Sequence, residues 1–124
     1  MNQMRIGLRE ERNNFEPGEE LTGAAGWELD SPPTAVEVRL LWFTRGKGTE
    51  DVEVVNTVLL ENPQAAEARP FKFHLPAAPY SFSGKLISLL WAVEVVALPK
   101  NQSARIEFVM APGGQEVVLP VVPA

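Results

Sequence analysis

His74 is the only histidine among 124 residues, and there is no cysteine. Nucleophilic catalysis of the Ser-His-Asp kind needs an imidazole held between a hydroxyl and a carboxylate in a cleft. His74 stands instead in Phe71-Lys72-Phe73-His74-Leu75, where apolar and polar side chains alternate. A period of two places the imidazole beside Lys72 on the wet face of a strand. It reads as a solvated surface histidine, and no catalytic residue is assigned. The lack of cysteine removes disulfides, thiolate zinc sites and thiol nucleophiles.

Three other patterns invite chemistry. Glu10, Glu11, Glu16, Glu19 and Glu20 could offer oxygen ligands to calcium. Their spacing matches no calcium loop, and Arg5, Arg9 and Arg12 are interspersed. This is a solvated face, so no metal or cofactor site is assigned. Gly46-Lys47-Gly48-Thr49 resembles part of a phosphate-binding loop. That loop needs a glycine five residues ahead of its Gly-Lys and a helix behind it, so that backbone amides cradle the phosphates. Leu41 occupies that position and a strand pattern follows, so the glycines serve a hairpin tip. Arg45 and Lys47 are the most exposed cationic pair, on a loop tip of the kind that carries binding residues on a rigid scaffold. They are the candidate partner-binding residues. Trp27, Trp42 and Trp91 could form a sugar-stacking platform, but all three lie on apolar rows and read as core. Phe43, on the opposite face of its strand, is the expected exposed aromatic.

The elements that would position these residues are strands. Gly84–Leu98 is the apolar spine: Ile87, Leu89, Trp91, Val93 and Val95 form an unbroken row, and Leu86, Ser88, Leu90, Ala92 and Glu94 a mixed one. Its valines, isoleucine and tryptophan favour a central strand over a buried helix. Glu94 calls for a partner such as Arg105 or Lys85. Met4, Ile6 and Leu8 alternate with Arg5 and Arg9. Leu21, Gly23, Ala25, Trp27 and Leu29 share a face, and glycines in such a strand mark the close approach of another backbone. Val36, Val38, Leu40 and Trp42 form the next row. In Asp51–Glu61 the apolar phase changes after Val54, which fits a β-bulge. Asn62–Arg69 has a capping asparagine, a proline at the first helical position and alanines, a pattern for a turn or two of helix. Ile106, Phe108 and Met110 alternate with Arg105 and Glu107. Pro112-Gly113-Gly114 is a turn, and Pro120 marks the last strand as an edge. About eight short strands at even spacing specify an all-β sandwich.

Phe15-Glu16-Pro17-Gly18-Glu19-Glu20-Leu21-Thr22-Gly23 resembles a signature near the start of arrestin-like domains: aromatic-x-Pro-Gly-Glu-x-hydrophobic-x-Gly. Phe71-x-Phe73-x-Leu75-Pro76, Tyr80, Gly84 and Ile87-x-x-x-Trp91-x-Val93 resemble that family's late central strand and the segment before it. The resemblance implies an immunoglobulin-like sandwich of seven to nine antiparallel strands, similar to the arrestin N-terminal domain in a stand-alone bacterial version. It implies an adaptor that binds proteins rather than transforms substrates. Two departures stand beside it: arrestins carry two such domains in tandem, and their buried charged cluster for sensing phosphate has no match here.

Composition bounds the rest. The formal net charge of −5 argues against a grip on nucleic acid backbones or anionic membranes. The longest apolar run holds Glu94 and is too short to span a bilayer. No leader of the secretory type opens the sequence. The expectation is therefore one cytoplasmic, non-enzymatic domain over 1–124, without cofactor or metal. It would engage an unidentified protein through a sheet edge or loop tips, with a homodimer through an edge strand as one form of this. The alternative is a module for a small ligand or carbohydrate.

Overall fold

The computed structural model describes residues 2–46, 48 and 50–118. In chain order the strands are β1 (Gln3–Leu8), β2 (Asn14–Phe15), β3 (Glu20–Glu28), β4 (Ala35–Gly46), β5 (Val52–Leu60), β6 (Ala66–His74), β7 (Phe82–Ser83), β8 (Ile87–Leu98), β9 (Gln102–Met110) and β10 (Val117–Val118). Two single turns of 3-10 helix, Arg9–Glu11 and Pro112–Gly114, are the only helical pieces among the described residues. The small sheet has the order β1-β3-β6. In the large sheet, β8 has β4 and then β5 on one side, and both β9 with β2 and β7 with β10 on the other. Pairing is antiparallel except in the two-residue ladders β2 with β9 and β7 with β10.

The sandwich closes because alternation turns one face of each sheet inward. Leu89, Trp91, Val93, Val95 and Ala97 of β8 meet Leu21, Ala25, Trp27, Phe71 and Phe73 of the small sheet in one continuous core. Burying such side chains is worth about 1.5–3 kcal/mol each, the main term favouring the fold. The indoles keep their N–H groups satisfied: Trp27 donates to the Gln64 carbonyl at 2.8 Å and Trp91 to that of Pro79 at 2.9 Å. Gly23 allows the tightest approach. A Cβ there would run into the Gly7 carbonyl oxygen and lie 2.7 Å from the Phe71 ring, which fills the room a side chain would need.

Three local expectations are corrected or fall outside the description. Residues 62–69 are not helical; β6 already begins at Ala66 and pairs with β3. The reason is tertiary. Arg69 donates to the carbonyls of Glu61 and Asn62, the Gln64 N–H donates to Glu67, and Trp27 holds the Gln64 carbonyl. Those bonds tie the segment across the end of the sandwich, and a nucleated turn of helix cannot compete with them. Ile87 is 42% exposed rather than core. It is the first residue of β8, opposite Gly46 at the far end of β4, where the inner row has run past the small sheet. The last strand is described only at Val117–Val118; the expectation for Pro120 lies outside the described residues.

The phase change in β5 is a bulge, as its spacing indicates: Leu40 pairs with Asn56 and Leu41 with Val54, leaving Val55 as the extra residue. Pro70 sits inside β6, where its missing N–H is tolerated because β6 is an edge of the small sheet.

Candidate interaction surface

The outward face of the large sheet carries a second, smaller core. Leu41 stands opposite Ala92 and Phe43 opposite Leu90, and Leu41, Phe43 and Ala92 are buried with Leu90 packed on them. No third layer lies over them among the described residues. Over Phe43 the cover comes from arginines. The guanidiniums of Arg45 and Arg105 sit 5.4 and 5.1 Å from the centroid of the Phe43 ring. Arg45 pairs with Glu107 at 3.4 Å, Arg105 with Glu94 at 3.4 Å, and Arg39 with Glu37 at 2.7 Å. Long basic side chains bury their stems on apolar surface while their heads stay wet. Phe43, expected to be exposed, is therefore buried. The partner expected for Glu94 is Arg105.

The same face is bare one strand further out. Val52 opposes Phe43 and Val54 opposes Leu41, yet they are 58% and 47% exposed, with Val55 at 41% and Leu59 at 53%. β5 pairs only with β4 among the described residues, so its other edge is open. Its inner side is uncovered as well over Glu53 and Asn56, because the small sheet is narrower than the large one and β5 overhangs it. Of the devices that usually block strand addition, this nine-residue edge carries one charge, Glu53, and the bulge at Val55, but neither lysine nor proline. Sequence periodicity marked this strand but not its bareness, which depends on sheet widths. The usable signal was the absence of any long basic side chain from Val52 to Leu60.

The residues singled out in the sequence are dispersed. Arg45 is the penultimate residue of β4, with its guanidinium over Phe43; Lys47 lies outside the described residues. His74 is exposed opposite Glu20, on the small sheet. Among the described residues no cluster of histidine and carboxylate side chains could hold a metal ion. The acidic segment is built into local structure. Glu19 accepts from Arg12 at 2.7 Å and from the Glu16 N–H at 2.9 Å, Arg12 lies 4.3 Å from the Phe15 ring centroid, and Glu16 accepts from the Gly113 N–H at 2.7 Å. The Arg12 hydrogen bond, seconded by the Glu16 N–H, holds the Glu19 carboxyl below its ordinary pKa, and Glu19 in turn raises that of Arg12. Arg69 and then the Gln64 N–H lower the pKa of Glu67 in the same way.

A shallow groove of about 700 Å³ crosses the outside of the small sheet, floored by the cross-strand row Gly7, Ala24 and Pro70 and flanked by Arg9, Thr22 and Lys72. Trp27 and Trp91 are fully buried, and Trp42 is half-buried against the main core.

No protein-family model matches the chain, and no curated protein matches it. Among solved structures, the chain is similar to Spo0M, the sporulation control protein of Bacillus subtilis, at a TM-score of 0.66 and 16% identity over 89% of its length. Spo0M has an arrestin-like fold. The fold is arrestin-like. This chain spans about half the length of Spo0M, 49%. A beta-glucosidase from Listeria innocua matches at a TM-score of 0.40 and 16% identity, over 94% of this chain and 16% of that one, a likeness too loose to equate the folds. In the arrestin-like sandwich the sequence signatures take definite places. Pro17-Gly18 is the turn into β3, with Gly18 at a φ of 80°, and Trp91 lies at the centre of the core.

Proposed function

We propose that this chain is a regulatory, non-enzymatic arrestin-like domain that engages a protein partner at the open edge of β5. The observation that carries the reading is the bare β5 edge beside Phe43, which the protein's own arginines roof. An unpaired strand edge offers main-chain hydrogen bonds to an added strand, and exposed alternate side chains give it selectivity. A regulatory role accords with the likeness to Spo0M, a sporulation control protein. Placing a photo-crosslinking amino acid at Val54, with His74 on the opposite sheet as control, tests the site. Crosslinked protein at position 54 and none at 74 is the expected result. Equal yields at the two positions, or none at 54, would refute it.

A small-ligand module is the second reading, and the groove over Gly7, Ala24 and Pro70 favours it. An apolar anionic fluorophore would then bind the native protein and be excluded by Ala24→Trp. No binding, or binding indifferent to that substitution, ends this reading.

A further inference from the structure

The bulge gives β5 an unusual symmetry. Val52, Val54, Thr57 and Leu59 stand opposite Phe43, Leu41, Arg39 and Glu37, and so lie on the outer face. Glu53, Asn56 and Val58 stand opposite Trp42, Leu40 and Val38, on the inner face. An antiparallel pair related by a two-fold axis sets residues of the same face opposite one another. In a regular strand such an axis must pass through a residue, because neighbours alternate. Val55, the extra residue, shifts the alternation by one and moves the allowed axis to the Val55–Asn56 peptide. About that point the faces of the paired residues read alike in both directions: Val52 matches Leu59, Glu53 matches Val58, and Val54 matches Thr57.

We infer that the occupant of the β5 edge is the β5 of a second copy of this chain, paired antiparallel about a two-fold axis at the Val55–Asn56 peptide and joining two large sheets into one. This rests on the reading of β5 as the partner edge and names the partner. The register sets Val52 against Leu59 twice on the outer face, an apolar pair now exposed in each copy. Val54 and Thr57 form two β-branched pairs, of a kind that stabilises cross-strand contacts. Glu53, the one charged residue of the strand, meets Val58 and never its own copy. Glu50 meets Glu61 only beyond the strand ends, and each copy carries a net charge of −5, so added salt tightens the pair by screening. About eight residues from each copy is well below the roughly 20–30 a side of a standard interface. The dimer therefore dissociates on dilution, with a Kd on the order of 1–100 μM.

Sedimentation velocity of the full chain from about 1 μM to about 1 mM, spanning that Kd range, reads the association directly. Wild type shifts from monomer to dimer. Val54→Lys and Thr57→Glu, both at exposed positions, each raise the Kd at least tenfold. An equimolar mixture of the two variants dimerises again, because the introduced ammonium of one copy then faces the introduced carboxylate of the other. A wild type that stays monomeric overturns the inference, as does a Val54→Lys protein that dimerises like wild type. A mixture that stays monomeric overturns the register. As a check independent of charge, oxidising a mixture of Val52→Cys and Leu59→Cys proteins yields a crosslinked heterodimer. Neither alone crosslinks to the same extent, since the native chain has no cysteine to compete; equal crosslinking in all three samples also overturns the register. Monomeric wild type with another protein captured at Val54 sinks self-pairing and leaves the β5 reading intact. Monomeric wild type with no capture sinks both.

Discussion

Phe43 and Val52 are neighbours across one ladder, on the same face of one sheet, and meet opposite fates. Phe43 is 5% exposed and Val52 58%. Hydrophobicity does not separate them; reach does. Two strands supply arginines long enough to arch over Phe43, and each guanidinium is tethered by a carboxylate from β8 or β9. Among the described residues no such side chain stands beside Val52 and Val54. An outward sheet face can thus be closed by the chain's own long charged residues or left for something else to close, and this sheet does both within two strands.

Truncating the roofed side breaks that contrast most strongly. Phe43→Ala removes a buried ring from the second core and should cost about 3 kcal/mol by thermal or urea unfolding. Under dilute, monomeric conditions Val52→Ala on the bare side should stay within about 0.5 kcal/mol. Equal losses at the two positions would mean that the arginines leave Phe43 as wet as Val52. Arg105→Ala should come next, at about 1 kcal/mol, since a solvent-exposed guanidinium over a ring contributes about 0.5–1 kcal/mol and its stem also covers apolar surface. Arg105→Lys should recover only part of this, because a compact ammonium lacks the planar stacking surface.

A small, pH-dependent effect is expected at the Arg12 and Glu19 pair, on the sandwich edge. The folded state favours the Glu19 carboxylate, so its contribution is present above the unfolded carboxyl pKa and fades as pH falls through the lower folded one. Glu19→Gln should flatten the acid limb of a stability-against-pH curve below about pH 4.3, the ordinary value for a glutamate, and leave stability at neutral pH lower by no more than about 1 kcal/mol. An unchanged acid limb would place the titrating groups elsewhere.

Alternation was enough to read β8, β3 and the bulge in β5, because each is recorded in the chain's own spacing. It failed where the deciding neighbour comes from another strand. Phe43 looked exposed because its cover arrives partly from Arg105, more than sixty positions away and adjacent only once β4, β8 and β9 have paired. Residues 62–69 looked helical because capping signals are local, whereas Trp27 and Arg69 hold that segment across the end of the sandwich. Ile87 continued the apolar row of β8 past the point where the opposite sheet stops. The candidate surface was legible only as a class, a sheet edge. Which edge depends on one sheet being wider than the other, a property of the assembled layers.

Pro70 bears on this choice of edge. By removing an N–H from the middle of β6 it leaves that rim of the small sheet poorly suited to zipping, while the edge of β5 stays open. The β5 rim of each unit, engaged in this way, has a valence of one. Joined through a two-fold axis, two units spend that valence on each other, and growth ends at a pair instead of running on into a fibre.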